Sequence, residues 1–188
     1  VECKIHDNYL ESHLQDFTLG DQNWDFAIEM FNATEMEIYN NTMVNGCVDF
    51  NNSSSIGFGL GGSNPILGPY TYSLWVHDNI FYCTSSNTHV QTGITLEFNV
   101  DTVIVENNTF DKYNIGVLFT PRTNNHINNV SIRKNLFTDV SIAEGSEGYF
   151  VDCGVYSGSN INFDNLEIYN NTFLANPSSP IINGIMLP

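Results

Sequence analysis

The stretch "LEIYNNTF" (166–173) decides the fold, because nearly the same eight residues occur at five other places in the chain. The shared frame is apolar, any, apolar, any, then Asn, Asp or a substitute, then Asn, any, apolar. The other copies are "CKIHDNYL" (3–10), "MEIYNNTM" (36–43), "LWVHDNIF" (74–81), "VIVENNTF" (103–110) and "VSIRKNLF" (130–137). Two apolar residues separated by one position are a signal for a β-strand. The sequence therefore predicts a repeat protein built from strands.

The sixth frame position is Asn in every copy, namely at Asn8, Asn41, Asn79, Asn108, Asn135 and Asn171. This Asn predicts a turn after the strand, because Asn tolerates positive φ and bonds to nearby backbone. A second strand is predicted later in each unit, at 26–30, 47–50, 93–98, 116–119, 154–157 and 184–188. The intervening gaps vary, and long insertions fall at 51–73 and 138–152. A fixed frame with variable gaps is typical of a solenoid whose loops accept insertions.

This pattern resembles the right-handed parallel β-helix superfamily, the pectate-lyase-like fold, over nearly the whole chain. The resemblance implies an all-β solenoid of about six coils, in which the six asparagines stack as a hydrogen-bonded ladder. Six coils at a strand spacing of about 4.8 Å would form a rod about 30 Å long. We expect one domain over residues 1–188. The first residue is Val1 and not Met, which indicates a segment of a longer secreted protein.

Composition restricts the partners and the location of the protein. The formal net charge is −16, with only five Lys and Arg residues. Binding to nucleic acid needs a basic face, so we expect no nucleic-acid partner. The sequence contains no run of about 18 apolar residues, which predicts no membrane span. The acidic composition suits a salty extracellular medium, and we expect an extracellular or cell-surface protein.

Cysteines and glycosylation sequons give two further expectations. Cys47 opens a predicted second strand and Cys83 follows the next Asn turn, so neighbouring coils could bring the two within bridging distance. A disulfide between them is one of several pairings that the sequence allows. Sequons for N-glycosylation occur at Asn32, Asn40, Asn51, Asn52, Asn107, Asn129 and Asn170. They are either glycan acceptors of a secreted eukaryotic protein or by-products of an Asn-rich repeat.

One candidate site lies on the outward row that follows the second apolar residue of the frame. This row consists of His6, Tyr39, His77, Glu106, Arg133 and Tyr169. His77, Glu106 and Arg133 would be neighbours and could act as base, acid and charge clamp. The alternative is a solvent-facing row with one Glu–Arg pair of small energetic value. The resemblance to lyases, which use Arg or Lys as a base, adds Arg122 as a further catalytic candidate.

A second candidate site is a calcium site on the second strands. In pectate-lyase-like enzymes the substrate lies along this face, and carboxylates there bind Ca²⁺. The resemblance carries over to Glu29, Asp49 and Glu97, which are predicted on outward positions of three successive coils. Carboxylates about 5 Å apart repel one another unless a cation or proton is shared, and Ca²⁺ suits such oxygen ligands. The alternative is an exposed acidic stripe.

Two functions follow from these patterns. The stretch "LWVHDN" (74–79) resembles the Trp-x-x-Asp-His of pectate lyases, but His77 and Asp78 stand in the reverse order. The Asp-Pro-His-Asp, Gly-His-Gly and Asn-Thr-Asp motifs of related enzymes do not occur. The favoured function is a non-catalytic extracellular β-helix, a structural, adhesive or filament-building element whose partner is itself, end to end. The alternative is a Ca²⁺-assisted lyase or related enzyme whose partner is a polysaccharide.

Overall fold

The computed structural model describes residues 3–11, 26–31, 34–44, 53–59, 71–83, 91–96, 100–113, 115–119, 125–138, 153–157, 161–174 and 183–187. These ranges hold eighteen β-strands and no helix. The prediction of an all-β fold is confirmed. The strands belong to three six-stranded sheets, and every described pairing between strands is parallel.

The chain visits the three sheets in turn, so that each sheet receives every third strand. The first sheet contains β1 (Cys3–His6), β4 (Thr34–Tyr39), β7 (Thr71–His77), β10 (Val100–Glu106), β13 (Asn125–Arg133) and β16 (Ile161–Tyr169). The second contains β2 (Tyr9–Glu11), β5 (Thr42–Val44), β8 (Ile80–Tyr82), β11 (Thr109–Asp111), β14 (Leu136–Thr138) and β17 (Thr172–Leu174). The third contains β3 (Phe26–Phe31), β6 (Ser53–Gly59), β9 (Gln91–Leu96), β12 (Ile115–Phe119), β15 (Cys153–Ser157) and β18 (Asn183–Met186).

The repeat frames lie in register along the first sheet, as the sequence predicts. The second apolar position of the frame forms one continuous row, which contains Ile5, Ile38, Val76, Val105, Ile132 and Ile168. Ile38, Val76 and Val105 are completely buried. Alternating apolar residues therefore point into a core between the sheets, and the polar residues between them point outward.

Phenylalanine side chains fill the core side of the second sheet. Phe81, Phe110, Phe137 and Phe173 stack ring on ring, with centroids 4.6 to 4.9 Å apart and planes within 7° of parallel. The spacing matches the distance between neighbouring strands. In-register pairing of the short strands thus places identical aromatic residues on top of one another.

The six frame asparagines form a bonded row, which we call the asparagine row. Asn41 Nδ2 donates to Asn79 Oδ1 at 3.0 Å, and the same contact joins every neighbouring pair at 2.9 to 3.1 Å. The backbone N–H of each donor residue bonds to the same oxygen. The four inner members, at Asn41, Asn79, Asn108 and Asn135, are each 1% exposed. Burial and bonding together give a physical reason for Asn at the four inner positions of the row.

The turn itself differs from the expectation. The frame Asn does not adopt positive φ; the residue before it does. These preceding residues are Asp7, Asn40, Asp78, Asn107, Lys134 and Asn170, with φ between 53° and 57°. The fifth frame position therefore supplies the left-handed backbone, which Asn and Asp tolerate best. The sixth position supplies the amide side chain.

The third sheet also differs from the sequence prediction at one strand. The expected strand at 47–50 lies outside the described residues, and the strand that pairs with β3 and β9 is β6 at Ser53–Gly59. Its Ser and Gly residues favoured a loop. However, Ile56 is in register with Ile28 and Ile94, so parallel pairing on both sides stabilises the strand.

Candidate functional site

The outer face of the first sheet brings the predicted polar row together. Register aligns its members in the order His6, Tyr39, His77, Glu106, Arg133 and Tyr169. Thus His77, Glu106 and Arg133 lie on consecutive strands. Glu106 on β10 is thus one strand spacing from His77 and one from Arg133, and His77 and Arg133 are two spacings apart.

Carboxylates occupy both sides of the His77 ring. Nδ1 lies 2.6 Å from Asp78 Oδ2, and Nε2 lies 3.2 Å from Glu37 Oε1. Both ring nitrogens can donate only when the imidazole is protonated. A general base needs one nitrogen that faces its substrate. In this geometry the ring bridges β4 and β7 instead.

Aromatic rings cover the faces of the same imidazole. The Trp75 ring lies 3.9 Å from the His77 ring, and the Tyr39 ring lies 5.3 Å away on the neighbouring strand. The His6 ring continues the stack at 4.7 Å from Tyr39. His77 is only 8% exposed, whereas Trp75 is 40% exposed. The stack therefore excludes water from the ring and presents part of the indole to solvent.

Glu106 and Arg133 form a direct ion pair. Arg133 Nε donates to Glu106 Oε2 at 2.6 Å, and Arg133 Nη1 donates to the Tyr169 hydroxyl at 3.1 Å. The guanidinium lowers the pKa of Glu106, and the carboxylate raises the pKa of Arg133. A carboxylate with a lowered pKa is a weak general acid or base at neutral pH. Together these bonds link β10, β13 and β16.

Three members of this face were not predicted from the sequence: Glu37, Trp75 and Asp78. Glu37 bonds to His77 and also to Lys4, at 2.6 Å between Nζ and Oε2. Glu37 and Trp75 occupy the outward frame position between the two apolar residues. Reading both outward positions of the frame, and not only the second, would have found them.

The described side chains of this face are bonded mainly to one another, which is the geometry of strand-to-strand linkage.

No protein-family model, curated protein or solved structure matches this chain. Catalytic roles for His77, Glu106 and Arg133 remain predictions. Arg122 lies outside the described residues.

The predicted calcium row rests on residues that the structure covers only in part. The backbone of Glu29 is in register with Gly57, and Gly57 with Thr95. Neither neighbour can supply a carboxylate. Asp49 and Glu97 lie outside the described residues, so the calcium site stays a prediction. Among the side chains that the structure describes, no cluster of three His, Cys, Asp or Glu residues could hold a metal ion.

If Glu29, Asp49 and Glu97 share Ca²⁺, millimolar Ca²⁺ is expected to raise the melting temperature. The free energy of unfolding rises by about 2.7 kcal/mol when Ca²⁺ is present at a hundred times its Kd. Thermal unfolding with and without Ca²⁺ measures it, with a Glu29→Gln, Asp49→Asn double variant as the control. An equal response of parent and variant would place any bound Ca²⁺ elsewhere.

The cysteine and sequon predictions meet the structure at some positions only. Cys83 is buried, and Cys47 lies outside the described residues, so their disulfide stays a prediction. Four sequon asparagines are exposed and have positive φ, namely Asn40, Asn107, Asn129 and Asn170. The sequons at Asn32, Asn51 and Asn52 lie outside the described ranges.

Over the part of the chain that the structure covers, no helix has the length and hydrophobicity needed to cross a membrane.

The ion pairs of this face predict a defined response to acid. The bond from Lys4 lowers the pKa of Glu37 most, and the bond from His77 lowers it further. His77 also lowers the pKa of Asp78, and Arg133 lowers the pKa of Glu106. Because these pKa values are lower in the folded state, the ionised carboxylates stabilise the folded protein fully at a pH above their ordinary pKa values, which are 4.5 for Glu and 3.8 for Asp. It is lost as pH falls through the lowered values.

A Glu106→Gln variant tests this response. Its melting temperature is expected to lie below that of the parent at pH 7, and the difference should shrink as pH falls below about 4.5. Glu167→Gln removes a charge from the same face and serves as the control. A Glu106→Gln difference that is constant from pH 7 to pH 3 would contradict the prediction.

Proposed function

We propose that this chain is a non-catalytic extracellular element that builds filaments or surface structures by end-to-end contact. In this proposal the three stacked sheets are the faces of a right-handed parallel β-helix with six coils. Each coil is one set of three consecutive strands, and the asparagine row is the ladder of the helix. Among the described strands, the first such set is β1–β3 and the last is β16–β18.

The observation that carries the proposal is the exposure of core positions on the outermost of the described strands. Phe110 is 1% exposed in the middle of the phenylalanine stack, whereas Phe173 at its end is only partly buried. In the same way Ile38 is fully buried, and Ile5 on β1 is partly buried. Apolar surface of this kind is stabilised by a partner that covers it.

The backbone of these outermost strands also supports a function in end-to-end contact. Among the described strands, β1 to β3 and β16 to β18 lie at the edges of their sheets, and edge strands offer unpaired N–H and C=O groups. A contact between one edge and the opposite edge of another molecule is heterologous and does not close. Such contacts generate filaments. The net charge of −16 supports an extracellular element whose rods stay apart laterally.

Electron microscopy and light scattering over a range of concentrations test the proposal. We expect linear assemblies whose length grows with concentration and whose width stays that of one molecule. Compact monomers at high concentration would overturn it. The polysaccharide lyase alternative is tested separately, by screening uronate polymers with Ca²⁺ for new absorbance from an unsaturated product.

A further inference from the structure

Three of the six Asn turns carry a complete sequon for N-glycosylation, and they occur in every second repeat. In these turns the fifth frame position is an asparagine, namely Asn40, Asn107 and Asn170. In the other three turns the same position is occupied by Asp7, Asp78 and Lys134. All six residues adopt a similar positive φ, so the turn alone does not require Asn at this position.

The seventh frame position varies in step with the fifth. It is a threonine wherever the fifth position is Asn, and these threonines are Thr42, Thr109 and Thr172. In the other repeats the same row of the second sheet contains Tyr9, Ile80 and Leu136. The strand therefore does not require Thr, just as the turn does not require Asn. A sequon requires both residues together, which explains why they occur as a pair or not at all.

The three asparagines are exposed, whereas the frame asparagines that follow the first two of them are buried. Asn41 and Asn108 are each 1% exposed, and the preceding Asn40 and Asn107 lie at the surface. Asn107 Nδ2 donates to Asp78 Oδ1 in the neighbouring turn. An amide nitrogen carries two hydrogens, so a sugar can replace one of them while the other keeps this bond. The fold thus tolerates a glycan on the exposed asparagine.

The spacing of the three turns leaves room for a glycan on each. The turns follow one another strand by strand, since the Asp78 N–H donates to the Glu106 carbonyl and the Asn107 N–H to the Arg133 carbonyl. Asparagines in every second repeat are therefore separated by two strand spacings, about 9.6 Å. Glycans are bulky, and two of them on neighbouring strands would compete for the same space. The intervening repeats carry no sequon at this position.

We propose that Asn40, Asn107 and Asn170 are N-glycosylation sites whose glycans form a row along one edge of the first sheet. At each site Nδ2 forms a bond to the anomeric carbon of a sugar and gives one proton to a base of the transferase. The bond from that carbon to the diphosphate of a lipid-linked oligosaccharide breaks, and the lipid diphosphate leaves. The inference rests on the extracellular part of the proposed function, and a bulky, hydrophilic row would keep rods apart laterally.

Peptide mapping of the protein isolated from the organism that produces it tests the three sites. Enzymatic release of N-glycans in heavy-oxygen water converts each modified Asn into a labelled Asp, which mass spectrometry locates. We expect the label at Asn40, Asn107 and Asn170. An unlabelled Asn at any of these three positions would overturn the proposed row.

Light scattering on the same material separates this inference from the filament function. Unlabelled protein that forms linear assemblies would overturn the glycan row and leave the filament function standing. Labelled protein that stays monomeric at high concentration would overturn the filament function and support the glycan row.

A variant with a fourth sequon tests the spacing. Asp78→Asn together with Ile80→Thr would place glycans on three consecutive repeats when the protein is secreted from a eukaryotic host. The fraction that mass spectrometry shows to be modified at position 78 is compared before and after an endoglycosidase trims each glycan to one sugar. Trimming is expected to raise its melting temperature by several degrees, because it relieves the crowding.

Asp78→Asn alone is the matched control, since it changes the same turn without creating a sequon. Its melting temperature, and that of the parent, should not rise on trimming. An equal response of all three proteins would show that neighbouring repeats accommodate glycans without conflict, and it would overturn the role of the alternate spacing.

Discussion

Replacing Asn108 with alanine is expected to lower the free energy of unfolding by at least about 3 kcal/mol, because several buried groups lose their partners at once. Asn108 Oδ1 accepts from both the backbone N–H and Nδ2 of Asn79. Its Nδ2 donates to the Val76 carbonyl and to Asn135 Oδ1. All four contacts are buried, so water cannot replace them without entering the core.

Asn8→Ala provides the matched control for this change. Asn8 belongs to the same row, but it is exposed and bonds to only one other asparagine. Its replacement is expected to cost about 1 kcal/mol or less. Urea denaturation of both variants measures the difference. If the two lose equal stability, or if Asn108→Ala melts like the parent, the asparagine row does not stabilise the fold.

The first sheet could be predicted from the sequence because two constraints act at every repeat. Alternating apolar residues determine which side faces the core, and a one-residue slip would expose all of them. The invariant Asn then fixes where each strand ends. These constraints are local, and they identify Ile38, Val76 and Val105 as core residues without knowledge of their partners.

The candidate site and part of the third sheet depend on neighbours that are distant in sequence. The contact between His77 and Glu37 spans 40 residues, and its geometry follows from register and side-chain direction together. Strand β6 has the Ser and Gly content of a loop, and its pairing with β3 and β9 outweighs that local preference. Sequence patterns show the row to which a residue belongs but not the bond that it makes.

The physical role of one glycine of the third sheet appears only in the packing. Gly93 lies on β9 beside the phenylalanine stack. A Cβ at this position would lie 2.6 Å from Phe110 Cδ1 and 2.7 Å from the Gly116 carbonyl oxygen. Phe110 is 1% exposed and stacks between Phe81 and Phe137, with centroids 4.6 and 4.9 Å away. The ring has no space into which it could move.

Gly93→Ala is therefore expected to destabilise the protein by about 3 kcal/mol, near the upper end for overpacking of a core. Gly184→Ala is the matched control, since a Cβ there would lie 3.3 Å from the ring of Phe173, at the partly exposed end of the same stack. Its cost is expected to be about 1 kcal/mol or less, because that ring can shift.

A double-mutant cycle separates steric overlap from a general effect of losing glycine. If the clash with Phe110 causes the loss, adding Gly93→Ala to a Phe110→Leu background should cost clearly less than adding it to the parent. Chemical denaturation of the four proteins in the cycle gives this coupling energy. A cost of Gly93→Ala that is the same in both backgrounds would mean that the Gly116 carbonyl, and not the aromatic stack, requires glycine at this position.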